Sequence, residues 1–168
     1  MADKYLKNDN GRKREVEAKT TSSGAGDAGK IVALNVRGKL DKSMFDEVQQ
    51  KVLVAGEALS SGNLVYVYDD AGTVKVKKAV ADSVGHEADG FVLSSAALDE
   101  NVLVFFEGTL ASTGLTAGER YYLSAATAGG VVTSGALPTG SGEVIQFIGK
   151  AISTTEINFE PDEGIILA

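Results

Sequence analysis

From residue 52 onward the chain repeats one pattern: a short apolar or alternating run, a turn of Gly, Ser, Thr or Asp, then another run. Residues 63–68 and 73–80 flank the turn Asp69-Asp70-Ala71-Gly72. In the second of these runs Val74, Val76 and Lys78 alternate with Lys75, Lys77 and Ala79, the two-residue period of a strand. The pair predicts a β-hairpin. Residues 101–110 contain Val102 to Phe106, which is apolar on both faces and predicts a strand in the middle of a core. Further short strands are expected at 52–55, 91–93, 120–124, 130–133, 143–151, 155–160 and 165–167. Residues 82–88 have room for one helical turn at most. The whole predicts a mainly β fold, an antiparallel β-sandwich or barrel-like domain of about eight to ten short strands.

The first third reads differently. Residues 1–29 are polar and hold no sustained period, which predicts an extended arm with a flexible joint at Ser22–Gly29. Ile31–Leu34 reads as a short strand, Asn35–Gly38 as a turn and Leu40 as the start of a return, together a small hairpin. Asp41 or Ser43 can cap a short helical turn through Met44, Phe45 and Val48. Gln49, Gln50 and Lys51 form a polar joint. The expected organisation is therefore an extended N-terminal arm with a small hairpin over 1–50 and a β domain over 51–168.

Charge sharpens that division. Residues 1–51 hold 11 of the 16 Lys and Arg but only 8 of the 23 Asp and Glu, a net of +3. The remainder is net −10, and the whole chain −7. An acidic protein is a poor nucleic-acid binder. The run Arg12-Lys13-Arg14 is too short, and too close to Glu15 and Glu17, to change this. A basic arm on an acidic body suits either a solvated tail or docking on an acidic protein surface or on a neighbouring copy. No run approaches the about 18 apolar residues of a membrane span, and the N-terminus lacks a signal peptide's apolar core. A protein made in the cytoplasm and free of membrane is expected.

Composition removes most chemistry. The 168 residues include no Cys, no Trp and one His. That excludes a disulfide framework, a Cys nucleophile and a Cys/His zinc set, and leaves one possible base for a Ser-centred triad. No cofactor, metal site or enzyme activity is expected. Gly24-Ala25-Gly26-Asp27-Ala28-Gly29 matches a dinucleotide fingerprint by letters, but it follows a polar tail and precedes a strand, the wrong context for a phosphate loop. His86 with Glu87 and Asp89 reads as an exposed loop. Asp69-Asp70 lacks the alternate acids of a calcium loop, and Glu160, Asp162 and Glu163 read as a turn around Pro161 and Gly164. Ser141 between two glycines has no elbow motif around it. Tyr66, Tyr68, Tyr121 and Tyr122 lie in strands and read as core or interface. Val54-Ala55-Gly56-Glu57 and Thr116-Ala117-Gly118-Glu119 are two loose copies of a turn that feeds a strand, not a solenoid repeat.

The segment Gly26-Asp27-Ala28-Gly29-Lys30-Ile31-Val32-Ala33-Leu34-Asn35-Val36-Arg37-Gly38-Lys39-Leu40-Asp41-Lys42-Ser43-Met44 resembles one found in head-fibre, capsid-decoration and tail-fibre proteins of tailed bacteriophages, with Phe45 where those carry Pro. Residues 55–67, 87–92, 115–124 and 147–161 are similar to the β-rich domain of phage capsid cement proteins. The resemblance spans 26–168 and brings no catalytic residue with it. It implies a non-enzymatic structural protein of the virion, a homotrimer on the outer capsid surface, bound to the major capsid protein. Arg12, Lys13, Arg14, Ile31, Val32, Leu34, Arg37, Met44 and Phe45 are the partner-binding residues expected of the arm. The alternative is a head- or tail-fibre module whose β-domain loops recognise a host surface glycan or protein.

Overall fold

Residues 4–44 and 50–168 are described by a computed structural model. They form two units, Met1–Val48 and Gln49–Ala168. Phe45 and Val48, and with them the helical turn expected beyond Met44, lie outside the described residues; within them a 3-10 turn spans Lys42–Met44.

The N-terminal unit departs from an extended arm. Lys4–Asp9 (β1) and Arg12–Glu17 (β2) pair antiparallel across the two-residue turn Asn10-Gly11. The hairpin expected at 31–40 is absent. Instead Val32 makes a parallel bridge to Lys19, and Asn35–Lys39 closes a turn by a backbone bond of 2.8 Å. The reason is chemical: the Asn35 side chain accepts the amides of Arg37 and Lys39, a local alternative to strand pairing.

The C-terminal unit is built of strands, with one 3-10 turn at Ser134–Ala136. Gln50–Ala55 (β3), Leu64–Asp70 (β4), Thr73–Lys78 (β5), Gly90–Val92 (β6) and Asn101–Phe105 (β7) close a small barrel in the order β3-β5-β4-β6-β7. Gly108–Ala111 (β8), Arg120–Leu123 (β9), Val131–Thr133 (β10), Phe147–Ala151 (β12) and Glu156–Phe159 (β13) make a sheet in the order β10-β9-β12-β13-β8. Val144–Ile145 (β11) and Ile165–Ile166 (β14) form a two-stranded ribbon. Barrel pairings are antiparallel except β3 with β5. The mainly β expectation holds, with a barrel and a sheet in one unit.

Strand period explains how barrel and sheet share a core. Along β4, Leu64 and Val65 are both fully buried yet belong to different clusters. Val65 points into the barrel with Leu53, Val76, Val92, Val102 and Val104. Leu64 points out of it, onto Leu110, Leu123, Ile148, Ile157 and Phe159 of the sheet. β6 repeats the division: Val92 faces in, and Phe91 faces the sheet and meets Phe105 and Phe159 at ring-centroid distances of 5.5 and 5.1 Å. Gly90 lets β6 and β7 close together, since a Cβ there would lie 2.6 Å from the Phe105 carbonyl oxygen. The expected strand 143–151 is broken at Gln146. Its buried amide replaces ladder bonds by accepting the Ala88 N–H at 2.7 Å and donating to the Ala88 and Asp162 carbonyls.

The β4–β5 hairpin turns on Ala71 and Gly72, both with positive φ, the signature of a two-residue primed turn. Glycine suits that geometry, and alanine is strained in it. Ala71→Asn should raise the unfolding free energy by about 0.5–1 kcal/mol. Urea unfolding checks this: the midpoint rises at unchanged slope. An unmoved midpoint would mean that the turn carries no such strain.

Candidate functional site

The N-terminal unit gathers most of the residues expected to bind a partner, and its construction is unusual. Register fixes its hairpin faces. Tyr5, Lys7, Arg12, Arg14 and Val16 share one face; Leu6, Lys13 and Glu15 share the other. The basic triplet is therefore split, with Arg12 and Arg14 beside Lys7, and Lys13 behind them. Arg14 lies 3.9 Å from Asp9, and Lys4 pairs with Glu15 at 2.6 Å. Both pairs are well exposed, and such pairs contribute little to stability.

The following loop is held by polar bonds. Asp27 accepts the Ser23 amide at 2.8 Å and its hydroxyl at 2.7 Å, and pairs with Lys19 at 3.0 Å. The Ser23 hydroxyl first, then its amide and Lys19, hold the Asp27 carboxyl well below the usual carboxylate range. Ser22 donates its amide to the Ser43 hydroxyl at 2.8 Å, tying the loop to the turn before Phe45.

No described residue of 4–44 is buried, whereas every buried residue of the chain's described part lies between Leu53 and Phe159. The apolar side chains of this unit stand in water instead. Ile31, Val32, Leu34 and Leu40 are 45–55% exposed and Val36 is fully exposed. Ile31, Val32 and Leu34 were legible as candidates; Val36, Leu40 and Leu6 join them. Arg37 sits in the Asn35 turn among them, and Met44 is half-buried. Phe45 lies outside the described residues. Residues 30–40 thus combine five exposed aliphatic side chains with the cations Lys30, Arg37 and Lys39.

The other motifs resolve into structural roles. Gly24–Gly29 is a 3-10 turn at Ala25–Asp27, not a strand-to-helix loop. His86 uses Nδ1 for both Asp82, at 2.9 Å, and Ser83, at 3.0 Å, and its ring lies 4.9 Å from that of Tyr66. A triad needs Ser and carboxylate on opposite ring nitrogens, so this set is no nucleophile–base pair. Asp70 and Asp99 both hold Lys75 at 2.9 Å, which ties the β4–β5 turn to the loop before β7. The carboxyl of Asp70 is lowered by that ammonium. Tyr121 is buried and accepts the Thr116 amide, whereas Tyr122 lies beside Phe147, with Arg120 over the Phe147 ring. Tyr66 and Tyr68 are half-buried on the outside of the barrel, with Lys77 over the Tyr68 ring. Among the described residues no three His, Cys, Asp or Glu converge as metal ligands, and no helix is long and apolar enough to cross a membrane. No protein-family model matches the chain, and no curated protein is significantly similar to it.

The Asp27 bonds give the unit an acid limit. A carboxyl held below its unfolded value of 3.8 adds stability above that pH and loses it as pH falls through the lowered value. Order in the 22–28 loop should therefore persist through pH 4 and fade only well below it. The Ser23 amide resonance, followed by NMR during acidification, reports this. A midpoint near the ordinary Asp value would rule the clamp out, and Asp27→Asn should abolish the transition.

Proposed function

We propose that the chain is a non-enzymatic structural protein of a phage virion, a decoration or cement protein that binds the outer face of the capsid and stabilises it. The N-terminal residues anchor it to the major capsid protein, and the β-unit, as a homotrimer, projects from the shell. The observation that carries the reading is the contrast in burial: an apolar, basic N-terminal strip without a core, joined to a body with two well-filled cores. A segment of that kind gains its hydrophobic stabilisation from a partner, so its ordering is coupled to binding. In this reading Arg12, Lys13, Arg14, Ile31, Val32, Leu34, Arg37, Met44 and Phe45 supply the contacts. The resemblance of residues 26–168 to cement and head-fibre proteins names the partner. The barrel and sheet serve as a stiff body.

Co-sedimentation with undecorated capsids tests it. Full-length protein should pellet with the shells, and a chain begun at Lys51, which keeps every buried core residue, should stay in solution. Leu34→Asp with Val36→Asp in the full chain should lower binding at least tenfold, about 1.4 kcal/mol or more. Equal pelleting by both lengths would move the anchor to the β-unit. Absence of binding by either, together with selectivity in a glycan array, would replace decoration by host recognition through the body's loops.

A further inference from the structure

The body carries an open, acidic groove of about 550 Å³ with aliphatic side chains at Val84 and Ile166. Val84 and Ile166 line it and are more than half exposed. Glu87, Asp89, Asp162 and Glu163 surround them, and among the described residues none of these four acids is in an ion pair. Asp89 and Glu87 each accept a backbone amide, of Val67 and Gly85, which fixes their positions. At the groove's border β14 pairs only with β11, so its second edge has no strand partner, and Ile165 beside it is exposed as well. An open strand edge beside two exposed isoleucines leaves backbone groups and apolar surface for a partner segment.

The chain itself holds a segment of complementary chemistry. Residues 30–40 read Lys-Ile-Val-Ala-Leu-Asn-Val-Arg-Gly-Lys-Leu: three cations, no acid and five exposed aliphatics. We propose that the Lys30–Leu40 segment of one copy docks in the Val84–Ile166 groove of a second copy. Aliphatic side chains would cover Val84 and Ile166, and Lys30, Arg37 and Lys39 would face the four carboxylates. The opposite net charges of the two regions, +3 and −10, draw copies together and set the orientation of the encounter. The inference rests on the N-terminal unit being a binding element and refines it. Arg12, Lys13 and Arg14 then touch the shell directly, and Ile31, Val32, Leu34 and Arg37 hold it through a neighbouring copy, so Leu34→Asp with Val36→Asp lowers capsid binding by breaking the clasp.

The chain has no cysteine, so introduced thiols are the only ones present. Val36→Cys and Ile166→Cys are made as separate full-length variants, both at exposed positions. They are mixed under oxidised glutathione and resolved without reductant. The mixture should give several-fold more disulfide-linked dimer than either variant alone. The yield should fall several-fold at about 1 M salt, where charges are screened within about 3 Å. Adding Glu163→Lys to the Ile166→Cys variant should lower it likewise. A mixture that yields no more dimer than its components overturns the proposal. So does a double variant that closes its disulfide within one chain while the mixture stays unlinked, which would put the segment on its own body. No capsid enters this experiment, so its failure leaves the decoration reading standing, and a failed capsid sedimentation leaves the clasp standing.

Discussion

The two-residue period of β4 and β6 is the constraint on which the body depends. Leu64 and Val65 are neighbours in sequence, point in opposite directions and are both completely buried. That is possible only for a strand with a packed layer on each side. The barrel fills one side with small branched residues, and the sheet covers the other with Phe91, Leu110, Ile148 and Phe159. Each such side chain contributes about 1.5–3 kcal/mol on burial, so the two clusters reinforce each other through shared strands. A one-residue slip of β4 would exchange the two sets and put Leu in a cavity shaped for Val. Gly90 belongs to the same constraint, because the barrel closes only if β6 approaches the Phe105 carbonyl without a Cβ between them.

The N-terminal unit obeys a different rule. Its order comes from a two-residue turn, side-chain bonds to backbone amides and a carboxylate clamp, none of which removes apolar surface from water. Bonds of this kind contribute about 1 kcal/mol each, and fixing the backbone costs a similar amount per residue. The unit therefore lacks the reserve that the body draws from its cores. Apolar side chains left exposed on such a frame represent stabilisation that the unit does not gain by itself, which is the basis for proposing a partner surface.

Sequence pattern made the body legible and left part of the N-terminal unit hidden, for a physical reason. In the body, alternation such as Val74-Lys75-Val76-Lys77 records a buried and a wet face, and the hairpin at 64–78 follows from it directly. The run at Val102–Phe106 likewise became β7, with Val102 and Val104 in the barrel and Phe105 against Phe91. The β1–β2 strands half-bury only the paired Tyr5 and Val16, so no sustained alternation marks them; the signal in the sequence is Asn10-Gly11, a pair suited to a primed turn. The break at Gln146 was invisible for the opposite reason. A polar residue inside an apolar run reads as a minor interruption, whereas its amide satisfies Ala88 on a segment 58 residues away. Val36 and Leu40 were passed over because a turn sequence surrounds them, and only the turn's geometry turns them outward.

Electrostatics and burial converge on the same division of labour. The charge of −10 over residues 52–168 repels like bodies, so copies that approach body to body meet a barrier set by their acids. In the contacts proposed above, a basic N-terminal region would lower that barrier. The charges are concentrated beside exposed aliphatics rather than spread over the unit, which couples the long-range attraction to short-range burial. An arm with only one of these would be weakly steered or weakly held. If the proposed contacts form, salt should act first on their rate of formation, since Lys30, Arg37 and Lys39 are exposed, while loss of Leu34 or Val36 should act on dissociation.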